Sequence, residues 1–383
     1  MSKVARSPSL PPVPSDAGVG ALEYPLPSGL RDLLPQEAAE QSRASRSVME
    51  AFELCGYQRV SVPAFELADV LQRWMGEQDA NSLLRFVDPE SGEVVALRPD
   101  MTPQIARLVA TRLRAAPGPV RLCYQGSVLR RRHERARTKR QIQQLGFELI
   151  GTQAESGDLE VLETATAAVR AAGLTEFTLD IGHAAITTAL VDAAAPSDRL
   201  ALVEALSMKD TTQVESAAAR AGLSPAIKKA LAALPDLHGG DEVWPKAERA
   251  LKGTAAEQAC AELKRIWNWV KERQLATSSI VDLGEIRSLN YYTGLTFHIL
   301  AHGPGEPVGS GGRYDHLFEQ FGAGRPAAGF AVDLGNLCWA VNDCGEPRAA
   351  RKRVLLVRSA AGAAELFTQL QQELRAGGLS CAV

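Results

Sequence analysis

Two strand-like runs, Val120–Ser127 and Gln144–Gly151, are joined only by an arginine-dense stretch, and this constrains the fold more than any other feature. Antiparallel strands are joined by hairpins, whereas parallel ones need a crossover, usually a helix. The two runs are therefore expected to pair as a hairpin. A second hairpin is expected where Leu83–Asp88 and Glu93–Leu97 flank a Pro-Glu-Ser-Gly turn. Helices flank these hairpins. From Gln36, apolar residues Ala44, Val48, Ala51, Phe52 and Cys55 recur every three or four positions, and Gly56 is placed to cap the helix. Pro103–Arg114 and Ser156–Ala172 also read as helices, and Tyr57–Val62 and Phe177–Ile181 as strands. The pattern predicts an α+β fold, an antiparallel sheet flanked by helices rather than a doubly wound parallel one.

From His183 to Gln274 the chain is rich in Ala, Leu, Lys and Glu, which predicts an all-helical insertion. Strand character returns at Ser279–Leu283, Leu295–Ala301 and Val308–Gly309, followed by a helix from Asp333. Residues 1–20 are rich in Ser, Pro and Gly and are expected to be a disordered tail; residues 21–345 form the core. At 383 residues the chain is long enough for a large core with an appendage. A net charge of −3 does not advertise a nucleic-acid binder. No apolar run approaches the roughly 20 residues that span a bilayer, and there is no signal-peptide pattern at the N-terminus. The expected location is the cytoplasm. Six cysteines lie far apart, none in a Cys-x-x-Cys pair, and the histidines do not join them at metal-ligand spacing. They read as buried reduced thiols, with no metal and no cofactor.

Several polar residues suit a pocket for a free amino acid, which must meet an ammonium, a carboxylate and a side chain. Asp100, Thr102, Gln144, Glu148, Arg287, Tyr291, Tyr292 and Tyr314 supply carboxylates, hydroxyls, an amide, a guanidinium and aromatic walls. Singly, each has a plainer reading. Glu148 suits a salt bridge or a solvent-facing position, Arg287 a pairing with Asp282 or Glu285, and one of the adjacent tyrosines a core position.

Five segments, taken in order, carry a resemblance. They are ALRPDMTPQIARL (96–108), GSVLRRRHERARTKRQIQQLGFELIG (126–151), EIRSLNYYTGLTFHI (285–299), GSGGRYDHL (309–317) and PAAGFAVDLGNLCWAV (326–341). Their order and spacing resemble the catalytic core of histidyl-tRNA synthetases, a class II family, from about Leu26 to Val341. The resemblance implies that Asp100, Thr102 and Gln144 meet the ammonium of histidine and Arg287 its carboxylate. Glu148 and Tyr292 would read the imidazole, Tyr314 would close the pocket, and Gly311 and Gly312 would let backbone approach the ligand.

The same resemblance shows what is missing. Arg130, an anion-binding candidate, keeps the place of the α-phosphate arginine, but Arg132 stands where a glutamate faces adenine. Ile142 replaces an adenine-packing aromatic, and Asn336 replaces the phosphate arginine of the third motif, with Asp333 nearby. Asn290 stands for an aspartate before the double tyrosine, and Asp100 is shorter than the usual glutamate. A preorganised contact to transition-state charge is worth roughly 3–4 kcal/mol, so losing several would make adenylate formation negligible. Where the resemblance implies an anticodon-binding domain of about 100 residues, residues 346–383 are expected to form a truncated β-α-β segment: strand Arg353–Val357, helix Ala363–Arg375 and strand Leu379–Val383.

A chain that keeps the amino-acid contacts and loses the ATP contacts resembles the regulatory subunits of ATP phosphoribosyltransferase within this family. The resemblance implies no catalytic residue of its own. It implies histidine as an effector for feedback inhibition at the first step of histidine biosynthesis. It further implies a short-form catalytic subunit as partner, needed together for activity, and a homodimer within a hetero-oligomer. Two alternatives remain open: a divergent histidyl-tRNA synthetase or amino-acid ligase, and an RNA-binding regulator using the Arg130–Arg140 hairpin. That hairpin holds seven Lys/Arg but no aromatic residue for base stacking, so an anion or protein partner is favoured over nucleic acid.

Overall fold

The computed structural model describes residues 26–73, 75, 83–130, 139–286, 292–322, 324–344, 353–355, 373 and 380–382. In chain order the elements begin with α1 (Pro35–Leu54), β1 (Gln58–Arg59), β2 (Phe65–Leu67), α2 (Ala68–Gln72), β3 (Leu84–Val87), β4 (Val94–Leu97) and α3 (Thr102–Arg112). The long hairpin β5 (Val120–Leu129) and β6 (Gln141–Ile150) follows, then α4 (Ala154–Ala171) and β7 (Thr178–His183). The insertion carries α5 (Ala184–Val191), α6 (Pro196–Ser207), α7 (Thr211–Arg220), α8 (Pro225–Ala233), β8 (His238–Gly239), α9 (Trp244–Leu251) and α10 (Glu257–Glu272). β9 (Ser278–Asp282), β10 (Leu295–Leu300), β11 (Gly309–Arg313), β12 (Ala327–Asp333) and α11 (Leu334–Cys344) complete the core, and β13 (Arg353–Leu355) pairs in parallel with β14 (Ser380–Ala382).

Nine strands form one sheet in the order β1-β5-β6-β12-β11-β10-β7-β9-β8. The sheet is antiparallel from β5 through to β7, but β1 joins β5 and β9 joins β7 in parallel. It is therefore mixed rather than purely antiparallel. A small second sheet runs β2-β4-β3. The insertion is not all helical, since β8 adds an edge strand beside β9. The strand expected over Tyr57–Val62 shrinks to two paired residues, because Pro63 follows closely and removes a ladder donor. β11 and β12 extend well beyond the expected Val308–Gly309. The helix expected at 363–375 falls outside the described residues except Glu373.

Local signals explain the helix ends. Pro35 opens α1, where its missing N–H costs nothing. Gly56 closes it at φ +88°, with the Tyr57 amide donating to Phe52 O at 3.1 Å and the Gly56 amide to Glu53 O at 3.0 Å. Asp210 and Ser224 cap α7 and α8 through their side-chain oxygens.

Strand alternation then splits the sheet into two faces. On β6, Leu145, Phe147 and Leu149 join the larger core with α1 and α4, where Phe52 and Phe147 meet edge-to-face at 5.0 Å. Buried residues of the insertion, such as Leu202, Leu231 and Trp267, continue that core. The opposite face packs Leu122, Tyr124 and Ile150 against Met101, Ile105 and Val109 at the start and along the length of α3. Gln144 and Glu148 belong to this second face.

Candidate functional site

The second face gathers the expected polar set. Register pairs Glu148 with Leu122 on one side and Gly329 on the other, and Gln144 with Gly126 and Asp333. The turn into α3 brings Asp100 and Thr102 above them. Asp100, Thr102, Gln144, Glu148 and Tyr314 are all buried. Glu148 is only 1% exposed, so neither a solvent-facing position nor a surface salt bridge describes it.

Its hydrogen bonds come from hydroxyls. Thr102 Oγ1 donates to Glu148 Oε1 at 2.7 Å, and the Tyr124 hydroxyl donates to the same oxygen at 3.0 Å. Oε2 is buried and has no hydrogen-bond partner among the described residues. Burial holds the Glu148 carboxyl well above the usual carboxylate range; the two hydroxyl bonds oppose this and the nearby Asp100 charge adds to it. Burial, and then the charge of Glu148, pushes the Tyr124 phenol up as well.

The second part of the site fixes the α3 turn. Asp100 Oδ1 accepts from the Thr102 amide at 3.0 Å and from Gln144 Nε2 at 3.4 Å, while Gln144 Oε1 accepts from the Met101 amide at 3.1 Å. Arg130 donates from Nε to Pro99 O at 3.0 Å, and its Nη2 lies 3.8 Å from Asp100 Oδ2. Arg130 thus sits at the pocket's edge, held by a carboxylate of the chain itself.

Aromatic rings close the space. Tyr292 and Tyr314 stand with ring centroids 6.2 Å apart. A β-carbon on Gly312 would reach the Tyr292 ring at 2.7 Å, and one on Gly329 would collide with Glu148 Oε2 and the Tyr314 hydroxyl. These two glycines floor the pocket. Gly311, expected beside Gly312 at the ligand, instead faces the Phe297 ring in the larger core. Tyr292 precedes β10 and does not alternate within a strand. Arg287 and Tyr291 lie outside the described residues, as do Asn290 and Arg132.

Tyr124 and Arg98 are site residues that the sequence reading missed. Tyr124 passes for a core aromatic in an apolar strand; its place on the same face as Gly146 was the available signal. Arg98 ties the Asp100 loop down by donating to Ser127 O at 2.8 Å, Val62 O at 3.0 Å and Pro63 O at 2.8 Å. Arg313, in the GGRYD segment, is 2% exposed and donates to Asp158 Oδ1 at 2.7 Å and Asp315 Oδ1 at 2.9 Å. It also reaches Thr152 O at 3.2 Å and Gln153 O at 3.3 Å, fixing the backbone that presents Tyr314.

At the junction of β12 with α11, the residues expected to have lost ATP contacts are engaged internally. Asp333 Oδ1 accepts from the Gly335 and Asn336 amides at 2.8 and 3.1 Å, capping α11. Asn336 is buried and donates from Nδ2 to Pro307 O at 3.1 Å. Ile142 packs against the second core cluster. Lys139 stands 5.8 Å from the Trp339 ring centroid, a cation–π contact.

Among the described residues, Asp180, Glu285 and His298 bring donor atoms within 4.8 Å of one another, a constellation the sequence reading did not name. Asp180 and His298 are register partners across β7 and β10. The 3.8 Å between His298 Nδ1 and Glu285 Oε1 suits a histidine–carboxylate ion pair as readily as a shared cation. Cys123 and Cys260 are buried thiols, as expected, but Cys55 is exposed. No helix among the described residues is long and apolar enough to cross a membrane.

Comparison with known proteins gives a consistent picture. The histidyl-tRNA synthetase family profile matches residues 29–337. A protein of Geobacter sulfurreducens named ATP phosphoribosyltransferase regulatory subunit is 36% identical over 363 residues, covering 94% of this chain and 83% of that protein. One of the same name from Anaeromyxobacter dehalogenans is 44% identical over 319 residues, covering 82% of this chain and 90% of that one. A crystal structure described as an ATP phosphoribosyltransferase regulatory subunit/histidyl-tRNA synthetase from Bacillus halodurans C superposes with a TM-score of 0.82 at 28% identity. It covers 95% of this chain and 93% of its own.

Proposed function

We infer the function from one premise: the chain belongs to the histidyl-tRNA synthetase family, among its ATP phosphoribosyltransferase regulatory subunits. It is accordingly a non-catalytic regulatory subunit with a class II synthetase-like fold. Its ligand is free histidine, held between Glu148, Thr102, Gln144, Asp100, Tyr292 and Tyr314, with Arg287 for the carboxylate. Its partner is a short-form catalytic subunit, which it makes active and sensitive to histidine, as a homodimer within a hetero-oligomer.

One observation carries the ligand assignment: a fully buried carboxylate whose Oε1 is saturated by hydroxyls while Oε2 has no hydrogen-bond partner. Burying a polar atom without a partner is costly, and a ligand N–H relieves that cost. The nucleotide end supports the same reading, because Asn336 and Asp333 satisfy each other's neighbourhood and offer no cation to a phosphate.

Calorimetry with histidine and with leucine tests the pocket. Histidine should bind, leucine should not, and Glu148→Ala or Tyr292→Ala should weaken binding by about 1–3 kcal/mol. No histidine binding, or equal binding of leucine, rejects the assignment. The purified chain should show no histidine-dependent pyrophosphate exchange with ATP; exchange at a synthetase rate overturns the regulatory reading. For regulation, histidine must bind the states of the complex unequally, with a coupling of about 1–3 kcal/mol. Arg287→Ala should leave activation of the catalytic subunit intact and remove most histidine inhibition. Undiminished inhibition would place the effector elsewhere.

A further inference from the structure

We propose that Lys209 is a positioning residue for the effector pocket: from the helical insertion it holds Asp282, and so fixes the short strap, residues 283–286, that leads toward Tyr292. This rests on the reading of histidine as ligand and names a residue outside the pocket on which its binding depends.

Lys209 closes α6 in the left-handed region, at φ +51°. The turn is tied by the Asp210 amide donating to Ala205 O at 3.4 Å and the Lys209 amide to Leu206 O at 2.9 Å. Glycine adopts this conformation without strain, and Gly56, Gly173 and Gly222 do so just past α1, α4 and α7. A lysine there carries a backbone strain that its side chain offsets. The ammonium meets Asp282 Oδ2, and the Asp282 side chain is only 11% exposed, so the contact is partly withdrawn from water.

Asp282 ends β9, and its other oxygen, Oδ1, accepts from the Gly284 amide at 3.1 Å. One carboxylate therefore joins the insertion to the strap. Two further contacts press the strap onto the insertion. The Leu283 amide donates to Leu237 O at 3.0 Å, and a β-carbon on Gly284 would lie 2.4 Å from Leu234 O, so a larger residue would push the two backbones apart. Beyond them, Glu285 Oε1 lies 3.8 Å from His298 Nδ1, and Ile286 packs against the larger core. On the far side, Tyr292 stands in the pocket with its ring 6.2 Å from that of Tyr314, and the Thr293 amide donates to Arg313 O at 2.8 Å. Residues 287–291 join these two anchored points and include Arg287, which the proposed function assigns to the ligand's carboxylate. Releasing Asp282 frees one anchor of that link without touching the ligand.

Calorimetric titration of histidine into the full chain and three variants tests this, with urea unfolding alongside. Lys209→Gly should bind histidine roughly three- to tenfold more weakly, the scale on which residues away from a site modulate it. Its unfolding midpoint should stay level or rise, because glycine relieves the backbone and the lost ion pair has a lysine that is 40% exposed. A purely structural lysine would move stability and leave affinity alone. Lys209→Arg, which keeps a cation on Asp282, should bind nearly as the wild type does. Lys264→Ala breaks an ion pair with Glu248 elsewhere on the insertion and should leave affinity unchanged. Wild-type affinity in Lys209→Gly overturns the proposal. So does an equal loss in Lys264→Ala, which would mean a general loosening of the insertion, or in Lys209→Arg. Failure of the wild-type chain to bind histidine overturns the functional reading and this proposal with it.

Discussion

The Glu148 site and the β12–α11 junction hold opposite kinds of polar residue. At the Glu148 end, side chains point inward and one carboxylate oxygen has no hydrogen-bond partner among the described residues. At the Asn336 end, the polar atoms close on the chain's own backbone: Asp333 caps α11 and Asn336 bonds Pro307. Glu148 and Asn336 are both buried and polar, so burial alone does not separate the two ends. What separates them is whether the donors and acceptors are already matched. The mismatch at the Glu148 end is of the kind that a ligand donor repairs, and the hydrogen bonds at the Asn336 end leave none of that kind.

The largest expected effect tests the frame of the pocket end. Arg313 and Asp158 are both nearly sealed from water, and their ion pair has backbone acceptors completing the guanidinium's bonds. Breaking a buried pair by removing one partner leaves an uncompensated charge, which costs about 3–5 kcal/mol. Asp158→Ala should lose that much in urea unfolding. A loss below about 1 kcal/mol would mean that the pocket end does not depend on this network.

The next effect is a pH dependence confined to the same end. The Glu148 pKa is raised in the folded chain, so its contribution to stability is full below the ordinary range and lost as pH rises toward the raised value. Ligand-free wild type should therefore lose stability relative to Glu148→Gln as pH climbs above about 4.5. Unfolding midpoints of the two chains, compared across pH, check the sign. Parallel curves would mean that Glu148 is ionised in the empty pocket and the mismatch is smaller than argued.

Much of this contrast was legible in the sequence, for reasons that differ by residue. Asp100, Thr102, Gln144, Glu148 and Tyr314 sit in motifs whose resemblance to histidyl-tRNA synthetases implies that they converge, and the structure brings them together. Arg287 and Tyr291 fall outside the described residues. Tyr124 was hidden because one aromatic in an apolar strand looks the same whether its hydroxyl is used or not. β11 was underread because GSGGR lacks β-branched residues, and strand propensity reports side-chain packing that glycine cannot supply. Its glycines are there because the Phe297, Phe330 and Tyr292 rings occupy the space above them. The Asp158–Arg313 pair joins residues 155 positions apart, and no local pattern reports such a contact.

At the nucleotide end, a smaller effect is expected from Asn336→Ala, which removes one neutral hydrogen bond and leaves Pro307 O to find another donor. The cost is about 1 kcal/mol, and histidine affinity should not change. Histidine binding that falls with this variant would show the two ends to be coupled through α11 and would blur the distinction drawn above.

The smallest effect should come from Lys139, which meets Trp339 across a surface where that ring is 50% exposed. Exposed cation–π contacts are worth about 0.5–1 kcal/mol, and 5.8 Å is near the outer limit at which the ring's field is felt. Lys139→Ala should therefore cost no more than about 0.5 kcal/mol in unfolding, less than any variant above. The same substitution also removes the ammonium beside Gly335, at the α11 turn that Asp333 caps. If that turn were still a phosphate site, Lys139 would be one of its cations, and the loss would register as weaker nucleotide binding. Because Asp333 already occupies the turn's amides, titration with ATP should give the same weak or absent signal for wild type and variant. A wild-type chain that binds ATP through Lys139 would show that the nucleotide end has not closed on itself, and the comparison would fail at the end where it predicts the least.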